Sequence, residues 1–162
     1  MDFATADLVD EHSDIQSCDL QFKNFGKPLR FHGAIRTVRC RHDNALIRGL
    51  LSQAGGYAVL VIDGDASLHC ALIGDVLAKM AATNQWAGVI VNGAVRDAAA
   101  LATIDLGVKA LGTNPRKSAK EATGQVDVNV EFGGVVFVPG HFLYGDEDGI
   151  VVSKRALHGA SS

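Results

Sequence analysis

Two short stretches carry residue types able to do chemistry, Gly74-Asp75 and Arg96-Asp97. Twenty residues separate Asp75 from Arg96, room for one helix out and one strand back. Such a unit returns its ends to one edge of a sheet, where ligand sites of α/β proteins form. Gly74 has no side chain to block a ligand, and the first amides of a helix lack partners inside it. The N–H groups around Val76 and Leu77 therefore suit a carboxylate or a phosphate. The same Asp75 also fits a plain helix cap. Arg96 follows a buried strand, where it can clamp a carboxylate or stabilise an oxyanion. Asp97 suits a divalent ion such as Mg²⁺ or Mn²⁺, which keeps several waters and takes other ligands from substrate. A second helix cap with a local Arg96–Asp97 ion pair accounts for the same two residues.

The elements that must position these residues follow from periodicity. Residues 5–12 read as a short helix with Thr5 as N-cap and Asp7 in its first turn. Phe22 and Phe25 pin an irregular stretch to the core before Gly26 turns it. Residues 31–39 alternate as a strand, with Ile35 and Thr37 on one face and Ala34, Arg36 and Val38 on the other. Asp43-Asn44 supplies a cap for a helix carrying Leu46, Ile47, Leu50 and Leu51. The apolar runs at 57–62 and 88–91 read as strands buried on both faces. Between them the helix after Gly74 buries Leu77, Met80 and Ala81. Another helix starts at Asp97, and residues 108–111 form another short strand. Alternation of strand and helix argues for parallel pairing. Beyond it, residues 126–132 alternate strictly, with Val126, Val128, Val130 and Phe132 on one face; Gly133-Gly134 then turns the chain into a returning strand at 135–138. One short helical turn is expected within residues 153–162. The fold class is α/β, a parallel α/β half joined to an antiparallel β half in a single domain spanning residues 1–162.

Composition narrows the function. The chain has 162 residues, 48% hydrophobic and 20% charged, as for a globular protein with a sizeable core. A net charge of −3 provides no footprint for direct nucleic-acid binding. No apolar run reaches the roughly 20 residues that span a bilayer, and the acidic N-terminus lacks the basic start of a secretory signal. Three separated cysteines (Cys18, Cys40, Cys70) fit reduced thiols in the cytoplasm. The six histidines show no zinc spacing, and no dinucleotide glycine motif follows a strand. Residues 112–118 read as a basic surface loop or an anion or partner contact, and Asp146-Glu147-Asp148-Gly149 as a solvated acidic turn. Cys70 reads as a core thiol. No lysine is placed in the pocket, so a Schiff base has less support.

The pattern Asp75, twenty residues, Arg96-Asp97 resembles the signature of the proteins called regulator of ribonuclease activity A, related to the class II 4-hydroxy-4-methyl-2-oxoglutarate aldolases. Val61-Ile-Asp-Gly, Ala71-Leu-Ile-Gly-Asp, Val91-Asn-Gly-Ala-Val-Arg-Asp, Phe132-Gly-Gly-Val and Asp148-Gly-Ile-Val-Val extend the resemblance over residues 5–152. A near relative is the actinobacterial branch once labelled demethylmenaquinone methyltransferase, an activity that the missing methyl-donor glycine motif argues against.

The resemblance implies a swivelling β/β/α-type fold assembled as a homotrimer, with the site near a subunit boundary. It implies that backbone amides from Gly74, Asp75, Val76 and Leu77 cradle the carboxylate of a small 2-oxo acid. Arg96 would contact the same acid, Asp97 would anchor the divalent metal, and Asp75 would orient a water for proton transfer. The implied reaction cleaves 4-hydroxy-4-methyl-2-oxoglutarate to two pyruvates, with oxaloacetate decarboxylation as a side activity. Some aldolases of the family add an acidic residue from a C-terminal extension of a neighbouring subunit, and no matching segment is recognisable here. Regulator members can lack the acidic residue matching Asp97, which this chain has. The alternative role is to bind and inhibit an RNA-degrading endonuclease of RNase E type, for which the acidic balance suits a basic partner segment.

Overall fold

The computed structural model describes residues 2–157. In chain order the elements are α1 (Thr5–Glu11), β1 (Gln16–Ser17), β2 (Lys23–Asn24), β3 (Phe31–Arg39), α2 (Ala45–Leu51), β4 (Val59–Asp63), β5 (Ala71–Ile73) and α3 (Asp75–Thr83). They continue as β6 (Gly88–Val95), α4 (Ala98–Leu101), β7 (Gly107–Thr113), β8 (Gln125–Val126), β9 (Val130–Phe132), β10 (Val135–Phe137), β11 (Phe142–Asp146) and β12 (Gly149–Ser153).

The long strand β3 belongs to both halves of the molecule. Its first four residues pair antiparallel with β11, and its last five pair parallel with β4. From β4 the parallel ladder continues through β6 to β7. From β11 the antiparallel ladder continues through β12 to β1. Alternation along the strands sorts two cores. Ile35, Val59, Val61 and Ile90 face the β9–β10 hairpin with Phe132 and Phe137, whereas Val38, Leu60, Ile62 and Val91 face Ile47, Leu51, Leu77 and Ala81 of the helices. Hairpin, sheet and helices thus form three layers, β/β/α. Both faces of β4 and β6 are covered, which is why their sequences are apolar without alternation. Each fully buried branched side chain there contributes about 1.5–3 kcal/mol. Among the described residues no helix is long and apolar enough to cross a membrane.

Gly133 and Gly134, at φ 61° and 76°, make the two-residue turn of the hairpin, a conformation that glycine adopts without steric cost. Phe22 and Phe25 pack against the two cores as their spacing predicts.

Several local expectations are corrected. Thr5 is not the N-cap of α1; Ala4 holds that place, and the Thr5 amide and hydroxyl donate to Asp146 at 2.7 and 2.6 Å. The 146–149 turn is therefore only partly solvated: Asp146 is 3% exposed, while Glu147 and Asp148 face outward. The predicted strand at 126–132 is broken. Asp127 stands at φ 54° and gives both carboxylate oxygens to Arg36, so β8 pairs with β3 and β9 with β10. Val126, expected on the buried face, is 37% exposed. Ala78 joins Leu77 and Ala81 in the core where Met80 was expected, and Met80 is half-buried. The short strand predicted at 108–111 runs the length of β7. Residues 154–157 are not helical, and the rest of the predicted C-terminal turn lies outside the described residues.

Candidate active site

The two stretches with chemical potential meet because β5 pairs in parallel with β6. Ile73 is the register partner of Val95, and the Arg96 amide donates to the Ile73 carbonyl at 2.9 Å. Gly74 and Arg96, each one residue beyond its strand, are thereby neighbours. A Cβ on Gly74 would lie 2.8 Å from Asp97 Oδ2 and 3.2 Å from Arg96 Cγ, so any side chain there must displace these two. Asp97 adopts a left-handed conformation, φ 61° and ψ 43°, which a short polar side chain tolerates.

That turn sends the Asp97 carboxylate back toward α3. Its Oδ2 accepts the Asp75 amide at 3.0 Å and lies 4.0 Å from Arg96 Nε. The Asp75 hydrogen bond holds the Asp97 carboxyl below its usual range, with Arg96 and Lys79 adding to the effect against the opposing cost of burial. Neither aspartate caps its own helix by a side-chain bond: Gly74 is the N-cap of α3, and Asp97 stands at the N-cap of α4 without a side-chain bond to it. Asp75 Oδ2 lies 3.6 Å from Lys79 Nζ one turn on, and Arg96 Nη1 donates to the Pro115 carbonyl at 3.3 Å.

Gly74, Asp75, Val76, Leu77, Arg96 and Asp97 all line one cavity of about 180 Å³. All the residues singled out at the two stretches therefore share a single space at the C-terminal edge of the parallel strands. The cavity also takes in Arg48, Lys117 and Lys120, so with Arg96 four cations face two carboxylates. Two lysines in this wall correct the expectation that the pocket has none. The loop at 112–118, read as a basic surface or an anion or partner contact, supplies Lys117 and Ser118, and Lys120 follows just beyond it. Nothing in the spacing foretells that this segment folds back over the sheet edge. Arg48 sits on α2, whose apolar spacing identifies the helix but not which polar residue meets the cavity.

As a metal site the cavity has a sparse donor set. Among the described residues no three His, Cys, Asp or Glu side chains converge. Asp75 and Asp97 are the carboxylates in the wall; Asp75 leans on Lys79, and Asp97, whose Oδ2 takes the Asp75 amide, leaves its other oxygen for an ion. This matches an ion that keeps most of its waters and takes donors from a chelating ligand. It does not match a closed zinc site. The thiols are poor nucleophiles: burial, with Asp43 and Asp63 nearby, pushes Cys40 up to about 12, and burial raises Cys18. Cys70 is buried, with Sγ 3.6 Å from Ser118 Oγ.

The family description RraA-like (Aldolase/RraA) matches residues 5–152. The chain belongs to this family. Among solved structures it is similar to one described as an S-adenosylmethionine:2-dimethylmenaquinone methyltransferase from Geobacillus kaustophilus, at 44% identity and TM-score 0.95, covering 97% of this chain and 98% of that one. The RNA-processing inhibitor RraA from Thermus thermophilus is similar at 43% identity and TM-score 0.95, covering 100% and 99%. Streptomyces coelicolor RraAS2, described as an unusual member of the RNase ES inhibitor RraA family, is similar at 28% identity and TM-score 0.70, covering 85% and 72%. The RraA-like fold thus accounts for the whole of the β/β/α arrangement, and the cavity lies within the residues matched to the family.

Proposed function

We propose that this RraA-like protein is a divalent-metal-dependent lyase that cleaves 4-hydroxy-4-methyl-2-oxoglutarate to two pyruvates and also decarboxylates oxaloacetate. The observation that carries this reading is the single cavity joining the α3 N-terminus, Arg96 and Asp97, with cations in excess. Both substrates are multiply charged 2-oxo acids, and an excess of Arg and Lys suits them. The Val76 and Leu77 amides of α3 receive the carboxylate next to the oxo group, the Asp75 amide being taken by Asp97. Arg96 places positive charge where the 2-oxo oxygen gains electrons as the carbon–carbon bond breaks. Asp75 orients a water for proton transfer with the substrate hydroxyl. Asp97 would hold Mg²⁺ or Mn²⁺, which supplies Lewis-acid polarisation of the 2-oxo acid when bound. Purified protein should release pyruvate from either substrate, lose the activity to a chelator and regain it with Mg²⁺. Equal rates for the parent and Asp97→Ala would remove the assignment.

In this reading the protein works in the cytoplasm as a homotrimer with the cavity near a subunit boundary. Val76 supports this: it lines the cavity, yet its apolar side chain is 60% exposed. Light scattering that returns a monomer mass would count against the assembly.

A second reading, restraint of an RNA-degrading endonuclease, is supported by relatives described as RNA-processing and RNase ES inhibitors. Away from the cavity, α1 packs on β11 and β12, and Asp7, Asp10, Glu11, Glu147 and Asp148 are exposed on these elements and their turn. Such a face suits a basic segment. A pull-down with the nuclease that shows no salt-sensitive binding would rule this out.

A further inference from the structure

Between β7 and β8 the chain lays residues 116–122 across the edge of the cavity as a strap. Lys117 bridges to Ala71, and Ala119 bridges to Asp43. The Ala71 amide donates to the Arg116 carbonyl at 2.7 Å, and Ser118 Oγ donates to the Ala71 carbonyl at 2.6 Å. The Ala119 amide donates to the His42 carbonyl at 2.9 Å. The last turn of the strap rests on one side chain. Asp43 Oδ2 accepts the Glu121 amide at 2.7 Å, and Oδ1 accepts the Ala122 amide at 3.2 Å and the Ala45 amide of α2 at 3.0 Å. Ala122 is held there at φ 62°, a conformation that a non-glycine residue keeps only under outside constraint.

We infer that Asp43 is a positioning residue: its carboxylate, 2% exposed, ties the strap to α2 so that Lys117 and Lys120 stand in the cavity wall and set its affinity for an anionic substrate. The inference rests on the cavity being the substrate site. Both carboxylate oxygens are required, because the amides approach both. Asparagine keeps an acceptor for Ala45 but turns an N–H₂ group toward the Glu121 amide. Burial opposes the charge on Asp43, yet the Ala45, Glu121, Thr123 and Ala122 amides outweigh it and leave the carboxyl below its usual range. The lysines are exposed and long, so without a fixed strap their ammonium groups spread through many rotamers. Asp43 itself does not line the cavity, so its effect must pass through the strap.

Asp43→Asn in the full chain tests this with two readouts. Limited trypsin digestion reports cleavage after Arg116, Lys117 and Lys120, with cleavage after Lys23 as the measure of general unfolding. Oxaloacetate decarboxylation separates KM from kcat. The expected result is strap cleavage about 10-fold faster with Lys23 unchanged, and KM raised about 10-fold with kcat within about twofold. Glu121→Pro deletes one anchored amide without touching Asp43; it is read by cleavage after Arg116 and Lys117 alone, because trypsin does not cut a Lys-Pro bond, and should reproduce the split should Asp43→Asn fold poorly. Equal acceleration at Lys23, or an unchanged KM beside a loosened strap, would overturn the inference. So would a further rise in KM when Asp43→Asn is added to a Lys117→Met, Lys120→Met background, since Asp43 would then not act through the lysines. A parent chain that releases no pyruvate removes the enzymatic reading of the cavity, and the tryptic comparison still decides the anchor.

Discussion

Asp97 caps a helix that is not its own: its Oδ2 accepts the amide of Asp75, the first residue of α3, at 3.0 Å. The end of β6 and the start of α3 are consequently one electrostatic unit. Replacing Asp97 by Asn keeps an acceptor for this amide but removes the charge. Pyruvate release should fall by about 100-fold or more, because even groups one step removed from a metal are worth about 10–100-fold. The thermal midpoint should move by only a few degrees. Steady-state kinetics with Mn²⁺, beside calorimetry, would check the pair of outcomes.

Gly74→Ala tests the close approach. Backbone strain is not at issue, since Gly74 stands at φ −133°. The new methyl meets Asp97 Oδ2 at 2.8 Å and forces Asp97 and Arg96 outward. Misplacement on the scale of 1 Å can cost about 100-fold, so a loss of at least about 10-fold in kcat/KM is expected. Activity equal to the parent would show that the contact is slack.

Arg96→Ala should lower kcat by roughly 100-fold, the scale of removing one preorganised donor from a developing oxyanion. Arg96→Lys keeps the charge but loses the planar fork, and should recover only part of the rate. Full recovery by lysine would reduce the role of Arg96 to simple charge.

Asp146 provides a pH test away from the cavity. Burial pushes its carboxyl up, but the Thr5 hydroxyl and amide and the Asp148 and Gly149 amides outweigh this and hold it below the usual value. A lowered folded pKa contributes stability above the unfolded value of about 3.9, and that contribution is lost as pH falls through the folded pKa. Asp146→Asn should therefore cost about 1–3 kcal/mol at pH 7, with the gap to the parent closing below about pH 4. Urea melts at pH 7, 5 and 3 would show it; a gap constant with pH would contradict it.

Lys109, 1% exposed on β7, donates to Asn24 Oδ1 at 2.9 Å and to the Asp146 carbonyl at 2.6 Å. Burial lowers its pKa despite nearby Asp146 and Glu147. Lys109→Met preserves the stem and strips both acceptors of their donor, so it should destabilise the chain by about 1–3 kcal/mol in urea unfolding.

The parts legible in the sequence are those where one local rule acts alone. The runs at 57–62 and 88–91 read as buried strands because covering both faces leaves no room for alternation; β4 in fact starts at Val59, leaving Tyr57 exposed outside it, and β6 runs on to Val95. Gly133-Gly134 reads as a turn because few other pairs adopt two positive φ values in succession. Gly74, Asp75, Arg96 and Asp97 could be placed on one edge by counting residues, but β5, whose pairing sets their contact, is only three residues long and carries too little pattern to read. The misreadings arise where a distant partner overrides local preference. Arg36 captures Asp127 across 91 positions and ends the strand that alternation predicts. Asp146 reaches Thr5 across 141 positions and takes over its cap. Lys117 and Lys120 reach the cavity on a loop tied to His42, Asp43, Asn44 and Ala71, which no spacing within their own loop reveals.

Strand β3 has a further consequence, for how the molecule comes to be folded. Residues 31–39 find their partners at 59–63, at 125–126 and at 142–145, so no local hairpin can stabilise them. The last of these pairings waits on β11, more than a hundred residues further along the chain. Closing such loops before any contact rewards them is slow, which places this chain among the slow-folding topologies despite its modest length. The wall containing Arg96 and Asp97 can assemble early from β4, β5 and β6. The half of β3 that joins the antiparallel sheet stays an open edge until β11 arrives, and an open edge can pair with another chain.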